Sequence, residues 1–147
     1  MVLLDTNILV YAADVDSEVF VKAKEIRDKA VNGELEACVS LQNLAEFYSA
    51  VTSSKQVEKP LTPREAKGEV IKYILCPMLK KVDVKSSTIS LAMDLAEKYG
   101  ITKQNIYDTQ LVATMIENNI TKIFTRNVGD FSIFTEIESE NPLEVTA

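Results

Sequence analysis

The sequence of 147 residues contains no histidine and only two cysteines. Without histidine, the chain cannot build a Ser-His-Asp or Cys-His nucleophile, a histidine-ligated zinc site or an imidazole general base. Cys38 and Cys76 match no metal-ligand spacing, and we expect Cys38, which lies in an apolar stretch, to be a small buried hydrophobic residue. Any chemistry must therefore use carboxylates, lysines, hydroxyls or a bound metal ion.

Long apolar runs and a surplus of basic residues are missing as well. No stretch is long enough to span a bilayer, and no segment resembles a secretory signal, so we expect a cytoplasmic protein with no membrane partner. The 22 acidic and 16 basic residues give a net charge of −6. Because phosphate contacts require Lys and Arg, this balance disfavours nucleic-acid binding unless a cation neutralises part of the negative charge.

The composition that is present is typical of one globular domain. Hydrophobic residues make up 46% of the chain and charged residues 26%, and neither a repeat nor a linker interrupts it. We therefore predict a single domain over residues 1–147. Apolar strand-like runs alternate with amphipathic helical segments, which indicates an α/β fold: a three-layer α/β/α sandwich with a central parallel sheet.

The alternation can be assigned along the chain. The predicted strands are Val2–Leu4, Leu35–Val39, Lys81–Val84, Lys122–Thr125 and, as a possible fifth, Ile133–Ile137. The predicted helices are Ser17–Asn32 with Ser17 or Asp16 as its cap, a helix capped by Ser40, one from the Thr62–Glu65 capping box to Leu75, Ser86–Tyr99, and Asn105–Asn118. Gly33 and Gly100 are predicted to follow helix ends, and the acidic tail after Glu138 is predicted to be frayed.

Two of these helices have a predicted apolar face. For the helix after Ser40, the apolar face consists of Leu41, Leu44, Ala45 and Tyr48. For the helix Ser86–Tyr99, the apolar residues Ile89, Ala92, Met93 and Ala96 are predicted to point inward. Both sets follow the spacing of an amphipathic helix.

Four acidic residues are candidates for chemistry, and each has a plain structural alternative. Asp5, at a strand end, could form a turn, and Glu46 could be a solvated helical residue. Asp108 could serve only a helix start, and Asp130 only a turn. A group of such carboxylates would repel one another by about 4 kcal/mol per pair at about 4 Å and an effective dielectric near 20. It therefore needs a cation, and an all-oxygen site suits Mg²⁺ or Mn²⁺.

Four stretches of the sequence together resemble the motifs of the PIN-domain family. They are Leu3–Tyr11, Asn43–Phe47, Ile106–Ala113 and Phe124–Phe131. They occur in the family's order and spacing across nearly the whole chain, and the chain's size and lack of appended domains resemble the VapC-type toxins of toxin–antitoxin pairs. The resemblance implies a parallel sheet between helices and divalent-metal-dependent cleavage of RNA.

The resemblance also implies roles for individual residues. Asp5 and Asp108 match the family's principal metal ligands, and Glu46 matches its second acidic position. The fourth acid follows the strand in one version of the motif, where this chain has Asn127, and precedes a phenylalanine in the other, where it has Asp130. We assign the role to Asp130, with Asn127 as a polar helper.

Further residues surround these four acids in the motifs. Thr6 and Thr125 match positions that often carry hydroxyls. Arg126 could hold the substrate phosphate or form a salt bridge at the rim. The segment Lys55–Arg64 could contact RNA or a partner, or could be a solvated loop that leads into a helix.

The expected reaction follows from the available groups. A water activated by the ion is the expected nucleophile, and its in-line attack on phosphorus would leave a 5′-phosphate and a 3′-hydroxyl. VapC-type toxins resembling this chain usually form homodimers and are inhibited by an antitoxin. We therefore expect a homodimer, and an antitoxin that offers a basic side chain to the acidic pocket.

Two alternatives of other classes remain open. Phosphoaspartate proteins, meaning haloacid-dehalogenase phosphatases and response-regulator receivers, also place an aspartate after the first strand. The phosphatases require Asp-x-Asp there, whereas this chain has Asp5, Thr6 and Asn7. The second alternative is a PIN-like binding module with a degraded site, which Asn127 leaves open.

Overall fold

The computed structural model describes residues 1–144. The strands are β1 Val2–Leu4, β2 Ala37–Ser40, β3 Lys80–Val82, β4 Lys122–Phe124 and β5 Glu138–Glu140. The helices are α1 Thr6–Ala13, α2 Phe20–Val31, α3 Leu41–Val51, α4 Pro63–Leu75, α5 Ser86–Tyr99, α6 Ile106–Glu117 and α7 Val128–Phe131, with a 3₁₀ turn at Lys103–Asn105. The end of the predicted frayed tail, residues 145–147, lies outside the described residues.

The five strands form one parallel sheet in the order β3-β2-β1-β4-β5. The central strand β1 pairs with β2 on one side and with β4 on the other, so that Leu3 lies between Cys38 and Ile123. Each parallel pairing requires a crossover, and helices supply these connections. The predicted α/β class is confirmed.

The sheet separates two apolar cores, as the alternation of side chains along each strand requires. Val2 and Leu4 face a core that also contains residues of α1, α2, α3 and α4. Leu3 and Cys38 face the other core, with residues of α5, α6 and α7. The helices therefore form a layer on each side of the sheet, which confirms the three-layer sandwich and the predicted burial of Cys38.

Helix α1 was not predicted. Asp5 is its N-cap, and Ile8, Leu9, Val10 and Ala12 are all buried within it. A helix that is apolar on most sides lacks the polar face by which a helical pattern is usually recognised. Asp5, for which a turn was the structural alternative, is therefore the start of a helix that leads from β1 into the first core.

Two predicted elements were misplaced. Helix α2 begins at Phe20, three residues after the predicted start, because Ser17 accepts a hydrogen bond from the amide of Val19 and forms part of the preceding turn. The last strand is β5 and not Ile133–Ile137, and it pairs with β4 through residues that the prediction placed in a frayed tail. The acidic residues of β5 fit an edge strand, where charge is tolerated.

The predicted inward face of α5 was partly wrong, and the predicted apolar face of α3 is mostly exposed. On α3, Leu44 is buried but Leu41, Ala45 and Tyr48 are exposed, since the helix turns Asn43 and Phe47 inward instead. On α5, Ala92 is buried and Ala96 half-buried, whereas Ile89 and Met93 are 40% and 48% exposed. Thr88 and Leu95 take the inward positions of that helix.

Helix ends that carry specific capping residues agree with prediction. Ser40 and Asn43 form a capping box at the start of α3, and Thr62 and Glu65 form one at the start of α4. Gly100 ends α5 with a φ of 65°, in the left-handed region that glycine adopts without strain. None of the helices between residues 1 and 144 is long and apolar enough to cross a membrane.

Candidate active site

Asp5 joins two strand ends at the carboxyl edge of the sheet. It follows β1 directly and caps α1, where its Oδ1 accepts a hydrogen bond of 2.8 Å from the amide of Thr6. Its Oδ2 accepts another of 2.8 Å from the hydroxyl of Thr125, which follows β4. Because β1 and β4 are parallel neighbours, the residues after them meet at one place.

Thr125 is fully buried and organises the loop after β4. Its Oγ1 accepts hydrogen bonds from Nδ2 of Asn7 at 3.3 Å and from the amide of Asn127 at 3.0 Å. Oδ1 of Asn7 accepts from the amide of Arg126 at 3.1 Å. Sequence reasoning gave Asn7 no role in the site, although its place two residues after Asp5 on the first turn of α1 could have indicated one.

Glu46 lies on α3 with both carboxylate oxygens engaged. Oε2 accepts a hydrogen bond of 2.9 Å from the hydroxyl of Thr6, and Oε1 accepts one of 2.9 Å from the side-chain amide of Gln42. Gln42 was not predicted to take part in the site. Its spacing of four residues from Glu46, which puts both side chains on one helix face, was the available signal.

Asp108 and Asp130 line a separate cavity of about 250 Å³. Asp108 stands in the first turn of α6, and Asp130 in the short helix α7, where the sequence had indicated a loop. Ile133 and Phe134 supply an apolar part of the wall. Asn105 precedes α6, but its side chain makes no capping hydrogen bond. Asp108 therefore does not form a capping box with Asn105.

The electrostatics of the site connect all four carboxylates. Burial raises the pKa of Asp108 to about 6, and the nearby charges of Asp5, Asp130 and Glu46 add to that rise. Burial also raises the pKa of Asp5, with further upward contributions from Glu46 and Asp130, while hydrogen bonds from Thr125 and Thr6 oppose the shift. Mutual repulsion of this kind is what a bound cation would relieve.

Arg126 and Asn127 lie at the rim. The guanidinium of Arg126 lies 5.0 Å from the centre of the Tyr11 ring and 3.6 Å from a carboxylate oxygen of Glu18. Asn127 precedes α7 without capping it through its side chain, and it contacts Thr125 through its backbone amide. The structure therefore places Arg126 in the predicted rim ion pair and leaves its guanidinium half-exposed.

The donor set fits a hard divalent cation, although the carboxylates are not drawn tightly together. Within residues 1–144, no group of three or more Asp, Glu, His or Cys side chains is close enough to form a complete metal-binding cluster. Mg²⁺ retains several waters and often uses only one or two carboxylates, so a spread set of oxygen ligands suits it. The four carboxylates therefore do not form the compact cluster that the sequence indicated.

The family is shown by comparison with known proteins. The sequence model of the PIN domain matches residues 2–134, so the chain belongs to the PIN domain family. This assignment leaves the phosphoaspartate alternative without support. No curated protein matches the sequence.

Solved structures share the whole fold at low identity. VapC20 of Mycobacterium tuberculosis, described as a sarcin-ricin loop cleaving toxin, is 15% identical with a TM-score of 0.69, over 93% of this chain and 98% of that one. VapBC2 of Rickettsia felis, solved with a promoter DNA fragment, is 22% identical with a TM-score of 0.65, over 96% and 98%. A toxin–antitoxin complex of Klebsiella pneumoniae is 16% identical with a TM-score of 0.65, over 99% and 100%.

Proposed function

We propose that the protein is a Mg²⁺- or Mn²⁺-dependent endoribonuclease and the toxin of a toxin–antitoxin pair. The observation that carries this proposal is the placement of the acidic residues: Asp5 at the end of β1 bonds to Thr125 after β4, and Asp108 and Asp130 line one cavity. The charges of Asp5, Asp130 and Glu46 add to the burial that raises the pKa of Asp108 to about 6. Carboxylates from four separate parts of the chain thus act on one another at one edge of the sheet. Membership of the PIN domain family and the similarity to VapC20, which is described as a sarcin-ricin loop cleaving toxin, support the choice of RNA.

In this proposal each acidic residue has a defined task. Asp5 and Asp108 are the principal ligands of the ion, and Glu46 and Asp130 complete its surroundings directly or through water. A bound divalent ion would supply charge stabilisation at the scissile phosphate and lower the pKa of an attacking water. Thr125 and Thr6 orient the carboxylates of Asp5 and Glu46 through the hydrogen bonds that they donate.

Two residues at the rim complete the proposed substrate contacts. Arg126 offers its half-exposed guanidinium to a phosphate of the bound RNA, and the substrate would then compete with Glu18 for it. Asn127 is a polar helper beside the fourth acidic position. The excess of negative charge near the site is compatible with RNA binding only when the ion is present.

The proposal is tested by cleavage of a single-stranded RNA oligonucleotide labelled at its 5′ end. We expect cleavage with Mn²⁺ or Mg²⁺, none with excess EDTA, and products that carry a 5′-phosphate and a 3′-hydroxyl. Asp5→Asn should abolish cleavage, whereas Asp94→Asn, a control on the exposed surface of α5, should not. Failure of the wild-type protein to cut RNA would favour a PIN-like binding module with a degraded site.

We also propose a homodimer, an inhibiting antitoxin and a cytoplasmic location. Two of the similar structures are toxins held in complexes with their partners. In this chain, exposed apolar residues of α3 and α4, including Leu41, Tyr48, Ile71 and Ile74, line a groove of about 370 Å³ that favours a protein partner. Light scattering at micromolar concentration should report a dimer, and a monomer there would contradict this part of the proposal.

A further inference from the structure

A chain of side-chain amides joins the helix that carries Asp108 to the helix that carries Glu46. Nε2 of Gln110 on α6 donates a hydrogen bond of 2.6 Å to Oε1 of Gln42 on α3. Nε2 of Gln42 then donates one of 2.9 Å to Oε1 of Glu46. A carboxylate can only accept, so the direction of the chain is fixed: the reverse orientation of Gln42 would place its carbonyl oxygen against Glu46.

A second chain reaches the other oxygen of Glu46 from the buried side. Asn43 is fully buried, and its Oδ1 accepts hydrogen bonds from the amide and the hydroxyl of Ser40. Its Nδ2 donates at 2.9 Å to Oγ1 of Thr6. Because Thr6 already accepts from Asn43, its single hydroxyl proton is directed to Oε2 of Glu46, which lies 2.9 Å away.

We propose that Gln42 and Gln110 are positioning residues that fix the carboxylate of Glu46 before a metal ion binds. The inference rests on the proposed function, in which Glu46 is a ligand of that ion. Glu46 is otherwise an exposed side chain on a helix surface, free to adopt several rotamers. With both oxygens held by donors, it keeps one orientation, and binding of the ion then requires less ordering of the side chain.

The geometry also couples two ligands that are far apart in sequence. Gln110 lies two residues after Asp108 on α6, and it contacts Gln42 across a sequence separation of 68 residues. The contact therefore links α6 to α3 at the level of the site. Loss of either amide should weaken metal binding although neither side chain is a ligand.

The test replaces each glutamine by methionine, which has a similar length and helix propensity but no strong donor. We expect Gln42→Met and Gln110→Met each to raise the Mn²⁺ dissociation constant, measured by titration calorimetry, by about tenfold. The double variant should be no weaker than Gln42→Met alone, because the two residues act in series on Glu46. Gln56→Met, at an exposed glutamine between α3 and α4, should bind Mn²⁺ like the wild type.

A second measurement separates positioning from general damage to the fold. In a Glu46→Gln background, Gln42→Met should have no further effect on Mn²⁺ affinity, since the residue it positions is already changed. A cooperative thermal unfolding transition of each metal-free variant verifies that it folds. If Gln110→Met does not fold, Gln110→Ala replaces it in the test. Unchanged affinity in Gln42→Met, or a loss that persists in the Glu46→Gln background, would overturn the inference.

The outcomes also separate this inference from the proposed nuclease. A wild-type protein that binds Mn²⁺ but does not cut RNA would overturn the nuclease, and weaker Mn²⁺ binding by the glutamine variants would still support the positioning role. A wild-type protein that cuts RNA, with variants of unchanged Mn²⁺ affinity, would overturn the positioning role alone. A wild-type protein that binds no Mn²⁺ would overturn both.

Discussion

The hydroxyl of Thr125 donates a hydrogen bond of 2.8 Å to Oδ2 of Asp5, although 120 positions separate the two residues in the chain. The bond links the end of β4 to the end of β1 at the edge where the acidic residues lie. Because Thr125 is fully buried and also accepts from Asn7 and Asn127, it holds the loop after β4 in place as well as the carboxylate. Stability and function should therefore both depend on this hydroxyl.

Removal of the Thr125 hydroxyl should lower both the stability of the protein and its affinity for the metal ion. Thr125→Val keeps the shape of the side chain but removes one donor to Asp5 and the acceptor of the Asn127 backbone amide, and we expect the free energy of unfolding to fall by about 2 kcal/mol. Metal affinity should fall too, since Asp5 loses a donor that orients it. Urea denaturation provides the measurement, and Thr121→Val, at an exposed threonine before β4, is the matched control.

Substitutions of the two exposed acids should differ in severity. Glu46→Gln should reduce RNA cleavage almost as much as loss of Asp5, because Glu46 is held in place by two donors and points to one position. Asp130→Asn should reduce cleavage less, because Asp130 is exposed and Asn127 lies beside it. Single-turnover cleavage rates at saturating Mn²⁺ measure the order, and a larger loss for Asp130→Asn would reverse our assignment of the two roles.

The raised pKa of Asp108 predicts a pH dependence of stability in the metal-free protein. The folded-state pKa of about 6 lies above the ordinary value of 3.8, so the folded state gains stability as the pH falls through 6, and the gain is complete below 3.8. We therefore compare the melting temperature of the metal-free wild type with that of Asp108→Asn at the same pH. The wild-type value, relative to the variant, should be lower near pH 7.5 than near pH 4.5. A difference between the two proteins that does not change with pH would contradict the raised pKa.

The stabilisation of the folded state by added metal should change with pH in the opposite direction. The ion binds the ionised carboxylate, so its stabilising effect should be largest above pH 6 and should decline as Asp108 becomes protonated. At ten times the dissociation constant, the gain is about 1.4 kcal/mol. Thermal melts with and without Mn²⁺ measure it, and equal gains in wild type and Asp5→Asn would contradict the assignment of Asp5 as a ligand.

Two glycines should respond in opposite directions to substitution by alanine. Gly68 lies within α4, where an added Cβ meets no atom within 4 Å, so Gly68→Ala should stabilise the protein by about 0.5–1 kcal/mol. Gly100 also has open space but a φ of 65°, so Gly100→Ala should destabilise it by about 1–2 kcal/mol. Urea denaturation of the pair separates backbone strain from crowding, and the same sign of change for both would contradict the conformations described.

The parts of the fold that the sequence predicts well depend on local interactions. The capping box of Thr62 and Glu65 and the terminating Gly100 defined helix ends because each needs only its immediate neighbours. Helix α1 was missed because its burial on most sides is decided by the sheet and by α2 and α3, which no pattern within α1 reveals. Strand β5 was missed for the same reason, since it is defined by pairing with β4 and not by apolar residues.

The residues of the candidate site also differ in how far the sequence predicts them. Asp5 could be placed at the carboxyl edge because it directly follows a strand of a parallel sheet. Glu46, which lies in the middle of α3, and also Asp108 and Asp130 were named because their stretches resemble the PIN-domain motifs. Asn43 and Gln110 could not be assigned roles, since their hydrogen bonds to Thr6 and Gln42 depend on the separation between α1, α3 and α6.

The central claim is that the acidic residues hold a metal ion for cleavage of RNA, and Asp108 tests it most directly. If Asp108 only began a helix, Asp108→Asn would cost a few tenths to about 1 kcal/mol of stability and leave cleavage intact. As a principal ligand, it should be essential, and Asp108→Asn should cut single-stranded RNA no faster than background with Mn²⁺ or Mg²⁺ present while remaining folded. Full cleavage by a folded Asp108→Asn variant under those conditions would contradict the account.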